Sequence, residues 1–143
     1  MRIIKLSKEE FKDKVSIKEF FFSDLPNREN PGAFYLTKGR LSSEKFSFGE
    51  KIVFSYEGKA IFISESASDI LDSNDQDKDK YPTYFQVNLE KLIDVTDKSI
   101  SLEHIEDLFK FYSGEYKNLL KSQGWPMIED TTFTELLWRY FQL

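Results

Sequence analysis

The chain has 143 residues, 40% of them hydrophobic and 31% charged, with a formal net charge of −5. Such a chain is long and apolar enough for a folded domain with a proper core, which excludes a disordered polymer. Its acidity offers no general attraction to nucleic acid, its lack of cysteine excludes disulfides and thiolate metal sites, and no apolar run approaches membrane-spanning length.

The aromatic share is high: 14 Phe, seven Tyr and two Trp make 16% of the chain. Large flat rings fill a compact core, and they also line sites for flat ligands. The cations are mostly lysine, with only four arginines, Arg2, Arg28, Arg40 and Arg139. Arginine is the usual reader of phosphates and guanine edges, so its scarcity argues against recognition of duplex DNA. The segment Met1–Glu10 lacks the long apolar core of a secretory signal, and the expected location is the cytoplasm.

In chain order, Ser7 and Glu10 form the S-x-x-E spacing of a capping box, which predicts a helix from Ser7 with Phe11 and Val15 on its inner face. The stretch Ile17–Leu25, with Phe20-Phe21-Phe22, is too short for its periodicity to decide between helix and strand. Pro26-Asn27-Arg28-Glu29-Asn30-Pro31-Gly32 is a loop of turn formers. The run Ala33–Thr37 predicts a strand, and Arg40–Lys45 a polar loop or short helical turn. Ile52–Tyr56 and Ala60–Ser64 flank Glu57-Gly58-Lys59 and predict a hairpin, with Gly58 supplying the positive φ of a tight turn.

Asp69–Lys80 is a polar, aspartate-rich stretch expected to be an exposed loop. Tyr84–Leu89 alternates polar and apolar residues, the period of a half-buried strand, with Pro82 at its start. Ser101 caps a predicted helix carrying Leu102, Ile105, Leu108, Phe109 and Tyr112 on one face. Tyr116, Leu119 and Leu120 suggest a second helix, stopped by Gly124 and Pro126. Thr132 and Glu135 suggest a third, with an apolar stripe of Phe133, Leu136, Leu137, Tyr140 and Phe141. No internal repeat or domain linker is visible, so residues 1–143 read as a single domain.

The chemistry-bearing residues do not assemble a catalytic set. His104, the only histidine, sits on a predicted helix without a nucleophile pattern nearby, and reads as structural. Asp75, Asp77 and Asp79 have the spacing of a hard-cation loop but lack its turn glycine and closing glutamate, so a solvated loop that binds no metal is expected. Glu57-Gly58-Lys59 and Glu115-Tyr116-Lys117 share the Glu-x-Lys triplet of some nucleases, but the first lies in a turn and the second on a predicted helix. Lys38 and Arg40 flank Gly39 after an aromatic strand and suit phosphate, Gly39 allowing close backbone approach. Among Phe34, Tyr35, Phe54, Tyr56, Tyr81 and Tyr84, the tyrosines Tyr35, Tyr56 and Tyr84 are preferred as base-stacking residues, because a hydroxyl suits a wet rim.

The segment Phe48–Tyr56 resembles the glycine-then-strand entry of the PUA-like superfamily, within it the EVE-type and neighbouring pseudobarrels. Ala60–Ser66 resembles the strand that follows, and Tyr84–Leu92 with Ser99–Glu103 resembles the late strand and the short helix after it. The match spans roughly residues 32 to 105. Gly49-Glu50-Lys51 also matches the start of the related ASCH pattern, while Phe54 and Tyr56 stand where its Glu and Arg belong. The resemblance implies an α+β fold: a small curved mixed β-barrel over about residues 32–100, an N-terminal helix, and a C-terminal helical extension over about 101–143. It further implies a barrel end that binds nucleic acid, often a modified or flipped base, among aromatic side chains.

The expected function is therefore a non-catalytic module, with no cofactor, that recognises RNA, modified DNA or a modified nucleobase through Lys38, Arg40, Tyr35, Tyr56 and Tyr84. The alternative is a protein-interaction component that docks a partner through Phe133, Leu137 and Tyr140 of its last helix. An enzyme ranks last, and no membrane association is expected.

Overall fold

A computed structural model describes residues 1–37, 46–73 and 80–143. Lys38, Gly39 and Arg40, and the aspartates at 75, 77 and 79, therefore lie outside the described residues. The fold is α+β, with seven strands and three α-helices among the described residues. The strands form two sheets, one of four strands and one of three, in place of the single closed barrel expected from sequence.

The chain divides into two compact units, each assembled from separated stretches. The first comprises Met1–Ser7, Lys51–Ile63 and Ile93–Leu143. Its sheet has the order β1-β3-β4-β7, where β1 is Arg2–Leu6, β3 Lys51–Tyr56, β4 Lys59–Glu65 and β7 Ile93–Asp94. Strand β1 was not anticipated. It pairs in parallel with β3, Ile4 opposite Phe54 and Leu6 opposite Tyr56. Ile3 and Ile4, adjacent in the chain, are both fully buried, so the strand shows no alternation that would mark it.

Strands β3 and β4 form the expected hairpin. Glu57 (φ 51°) and Gly58 (φ 77°) both take the left-handed conformation, the signature of a two-residue type I′ turn whose twist matches its strands. The Gly58 carbonyl accepts from Leu102 N–H at 2.8 Å, which ties the turn to the start of helix α2, Leu102–Ser113. Ser101 caps α2 as expected, accepting from His104 N–H, and Gly114 closes it in the left-handed conformation.

Helix α3, Thr131–Phe141, is capped by Asp130, whose carboxylate accepts from Phe133 N–H at 3.0 Å, not by Thr132. The expected helix around Tyr116–Leu120 is absent: residues 115–130 contain no regular helix. Glu106 Oε1 instead accepts from both Leu119 and Leu120 N–H at 2.7 Å, and Lys5 Nζ donates to the Leu120 and Ser122 carbonyls at 3.3 and 2.6 Å. Side chains supply what helical backbone bonds would have supplied.

The core of this unit joins Ile3, Val53 and Ile63 of the sheet to Ile105 and Phe109 of α2 and Phe133, Leu137 and Phe141 of α3. The Phe109 and Phe133 rings meet edge to face at 5.0 Å. The stripe proposed above as a partner-docking surface is thus largely core: Phe133 and Leu137 are 4% and 3% exposed, and of the three only Tyr140 faces solvent. No helix among the described residues is long and apolar enough to cross a membrane.

The second unit comprises Lys8–Glu50 and Ser64–Leu92. The helix expected from Ser7 starts later, as α1, Lys14–Glu19. Asp13 and Ser16 form its capping box: Asp13 Oδ1 accepts from Ser16 N–H at 2.9 Å and Ser16 Oγ from Asp13 N–H at 3.2 Å. A π-helical turn, Phe20–Asp24, continues it, marked by Leu25 N–H donating to the Phe20 carbonyl at 2.8 Å. The three-stranded sheet has the order β2-β6-β5, where β2 is Ala33–Leu36, β5 Leu71–Asp72 and β6 Thr83–Gln86. Gly32 (φ 84°) leads into β2, and a Cβ there would lie 2.7 Å from the Val87 carbonyl oxygen. Only glycine satisfies both the backbone conformation and that approach.

Candidate nucleic-acid interface

Strand alternation in β2 and β6 sorts the aromatics of the second unit into two faces. Phe34 pairs with Phe85 directly across the strands, Tyr35 with Tyr84, and Tyr84 also lies opposite Leu71 of β5. The Phe34–Phe85 face is the inner one. Phe34 is 6% exposed and Phe85 fully buried, with Phe46 packed on Phe85 at 4.6 Å and Phe20 on Phe34 at 6.0 Å.

The opposite face carries Tyr35 and Tyr84, both half-buried, with ring centroids 5.4 Å apart. Tyr81, also half-buried, lies 6.4 Å from Tyr35. The row of three tyrosines is flanked by cations. The Arg28 guanidinium carbon sits 5.5 Å from the Tyr35 centroid and 5.0 Å from that of Phe20, and Lys80 Nζ sits 5.3 Å from the Tyr81 centroid. Arg28 Nη1 donates to the Ala33 carbonyl at 2.7 Å, which anchors the guanidinium on β2, an edge strand of its sheet. Farther along the same face, Gln86 Nε2 donates to Asn30 Oδ1 at 2.8 Å.

Flat rings with polar hydroxyls, half-exposed on a sheet and edged by cations, can stack nucleobases and hold phosphate. Of the residues nominated from sequence, this face brings together Tyr35 and Tyr84. Tyr56 is 1% exposed on β3 of the first unit, where it packs as core, and Phe54 is fully buried on the same strand. The reason is the hairpin's position: β3 lies inside its sheet, between β1 and β4, and its residues are buried on both faces. Lys38 and Arg40 follow β2 but lie outside the described residues.

Sequence reasoning did not place Arg28 or Tyr81 beside Tyr35 and Tyr84. The available signal was an arginine among turn formers just ahead of an aromatic strand. His104 is exposed on α2, with its ring 6.4 Å from that of Tyr140. Among the described residues, no three His, Asp or Glu side chains are grouped to hold a metal.

No protein-family model matches the chain, and no curated protein matches it. Its fold is similar to that of the YTH domain of the Zygosaccharomyces rouxii MRB1 protein, whose crystal structure is in complex with N6-methyladenosine RNA. The TM-score is 0.53 at 23% sequence identity, covering 98% of this chain and 84% of that one. At that identity the likeness is one of fold, that of a small α+β domain with a YTH-like arrangement.

Proposed function

We propose that the chain acts as a single non-catalytic domain that binds nucleic acid and takes an unstacked base on the Tyr35–Tyr84 face. The observation that carries this reading is the direct cross-strand pairing of those two tyrosines, 5.4 Å apart and half-exposed, with the phenylalanines of the same strands turned inward. A sheet that needed these rings only as filler would bury them as it buries Phe34 and Phe85. The fold it shares with an RNA-binding YTH domain supports the same reading. Lys38 and Arg40, which come shortly after β2 in the sequence, are proposed to add phosphate contacts.

Fluorescence anisotropy with short labelled oligonucleotides tests this. Single-stranded RNA, with and without N6-methyladenosine, should bind more tightly than plain duplex DNA of the same sequence, because a net charge of −5 opposes non-specific duplex binding. Tyr84→Ala should weaken binding by about 1–3 kcal/mol with an unchanged salt slope, the mark of a lost stacking contact. A folded Tyr35→Ala, Tyr84→Ala double variant that binds as the wild type does would refute the reading.

A further inference from the structure

We infer that Arg28 is the phosphate-binding residue of this face, so that the site takes a base together with its neighbouring phosphate on a single strand. The inference rests on the nucleic-acid reading above and assigns a residue that neither the sequence pattern nor the fold likeness identified.

Three observations converge on it. The side chain is held from three directions: ring contacts at 5.0 Å from Phe20 and 5.5 Å from Tyr35, and a 2.7 Å hydrogen bond to the Ala33 carbonyl. A long side chain fixed this way has already lost most of its rotamer freedom, so little more is lost when a ligand binds.

The guanidinium also has donors to spare. Arginine carries five N–H groups, and Arg28 directs only one hydrogen bond to the described residues. Among them it has no carboxylate partner, unlike Lys91, which pairs with Glu65 at 2.9 Å. A fork of unused donors and an uncompensated positive charge suit a phosphate oxygen pair.

Lastly, the guanidinium shares a ring with the stacking site. It covers Tyr35, and Tyr35 is the ring that meets Tyr84 at 5.4 Å and Tyr81 at 6.4 Å. Lys80 lies over Tyr81, the second ring that Tyr35 meets. Cations beside stacking rings are what a single strand with its bases turned onto the sheet would require. A duplex keeps its base faces stacked inside the helix and cannot present them to this surface.

The test is a salt titration of single-stranded RNA and single-stranded DNA binding with wild type, Arg28→Gln and Arg28→Lys. Arg28→Gln should lower the slope of log K against log salt by about 0.7, one phosphate contact on a single strand. Arg28→Lys keeps the charge but loses the fork, so it should keep the slope and weaken binding several-fold. Because Arg28→Gln also loses two ring contacts, the wild-type protein is assayed in parallel against an oligonucleotide series with one neutral methylphosphonate linkage walked along the strand. One position should weaken binding of the wild type, and Arg28→Gln should abolish most of that difference. A folded Arg28→Gln with unchanged slope, or a methylphosphonate series with no sensitive position coupled to Arg28, overturns the assignment while leaving the tyrosine site standing. A wild-type protein that binds no oligonucleotide, or only an acidic peptide, overturns both.

Discussion

Replacing Glu106 with alanine should release residues 115–122 from the rest of their unit. The Glu106 carboxylate is the acceptor for two consecutive backbone amides, Leu119 and Leu120, each at 2.7 Å. A hydrogen bond to a charged group contributes about 1.5–3 kcal/mol, and a buried amide left without an acceptor loses about as much. The two sites differ in burial. Leu119 is fully buried and its amide cannot turn to water, whereas Leu120 is 37% exposed and its amide can. Counting the first amide in full and the second at a fraction gives about 2–4 kcal/mol for Glu106→Ala. Glu106→Gln keeps a neutral acceptor and should cost about 1 kcal/mol. With a urea slope of about 2 kcal/mol/M, the alanine variant should unfold about 1–2 M earlier, with little change in slope. Hydrogen exchange at Leu119 should quicken beyond the global loss, because the amide becomes accessible without complete unfolding. A stability loss below about 0.5 kcal/mol, or a Leu119 amide as protected as before, would show that this segment is held by something other than Glu106.

Further outcomes follow from the same geometry. Gly32→Ala should destabilise by about 2–4 kcal/mol in urea unfolding. The new Cβ meets the Val87 carbonyl oxygen at 2.7 Å, and φ is +84°, where an L-residue costs about 1–2 kcal/mol before the clash is counted. Leu137→Ala should cost about 2–5 kcal/mol, as a core truncation does, while the half-exposed Tyr140 should tolerate alanine to within about 1 kcal/mol. A Leu137→Ala variant that leaves stability intact would return α3 to the role of a docking surface. Burial holds the Lys5 ammonium below the ordinary lysine value of 10.5, with the Glu106 charge opposing that shift. In the pH window between the folded value and 10.5 the unfolded chain holds more protons, so the Lys5 contribution to stability grows as pH rises through it. The difference in unfolding free energy between wild type and Lys5→Met should therefore shift in favour of wild type as pH approaches 10.5; a flat or opposite trend would contradict the assignment.

How much of the fold was legible depended on whether a signal was local. The β3–β4 hairpin was, because Glu57-Gly58 between two β-branched and aromatic runs specifies its turn without help from the rest of the chain. Helix α2 was legible for the same reason, with Ser101 ahead of it. Strand β1 was not: its parallel partner β3 lies 50 residues later in register, Arg2 opposite Ile52, and nothing in five residues without alternation announces that pairing.

The Ser7 and Thr132 caps were plausible locally but lost to Asp13 and Asp130, whose carboxylates accept from the first-turn amides. The helix expected at Tyr116–Leu120 lost to a tertiary competitor, the Glu106 carboxylate. At the candidate interface, period-two alternation along β2 separates Phe34 from Tyr35. That Tyr35 would face Tyr84 depended on the register of β2 against β6, set by strands far apart in the chain. Arg28 was invisible as a site residue, because only folding lays it over Tyr35.

The central claim is that the Tyr35–Tyr84 face binds a single-stranded nucleic acid. The most direct measurement is a titration of isotope-labelled protein with a short single-stranded RNA, following backbone amide and aromatic side-chain resonances by NMR. The largest shifts should fall on Tyr35, Tyr81 and Tyr84, with the Arg28 guanidinium signal moving in step at the same affinity. No saturable shift, or shifts centred on Leu136 and Tyr140 of α3 while the tyrosine face stays unchanged, would contradict it.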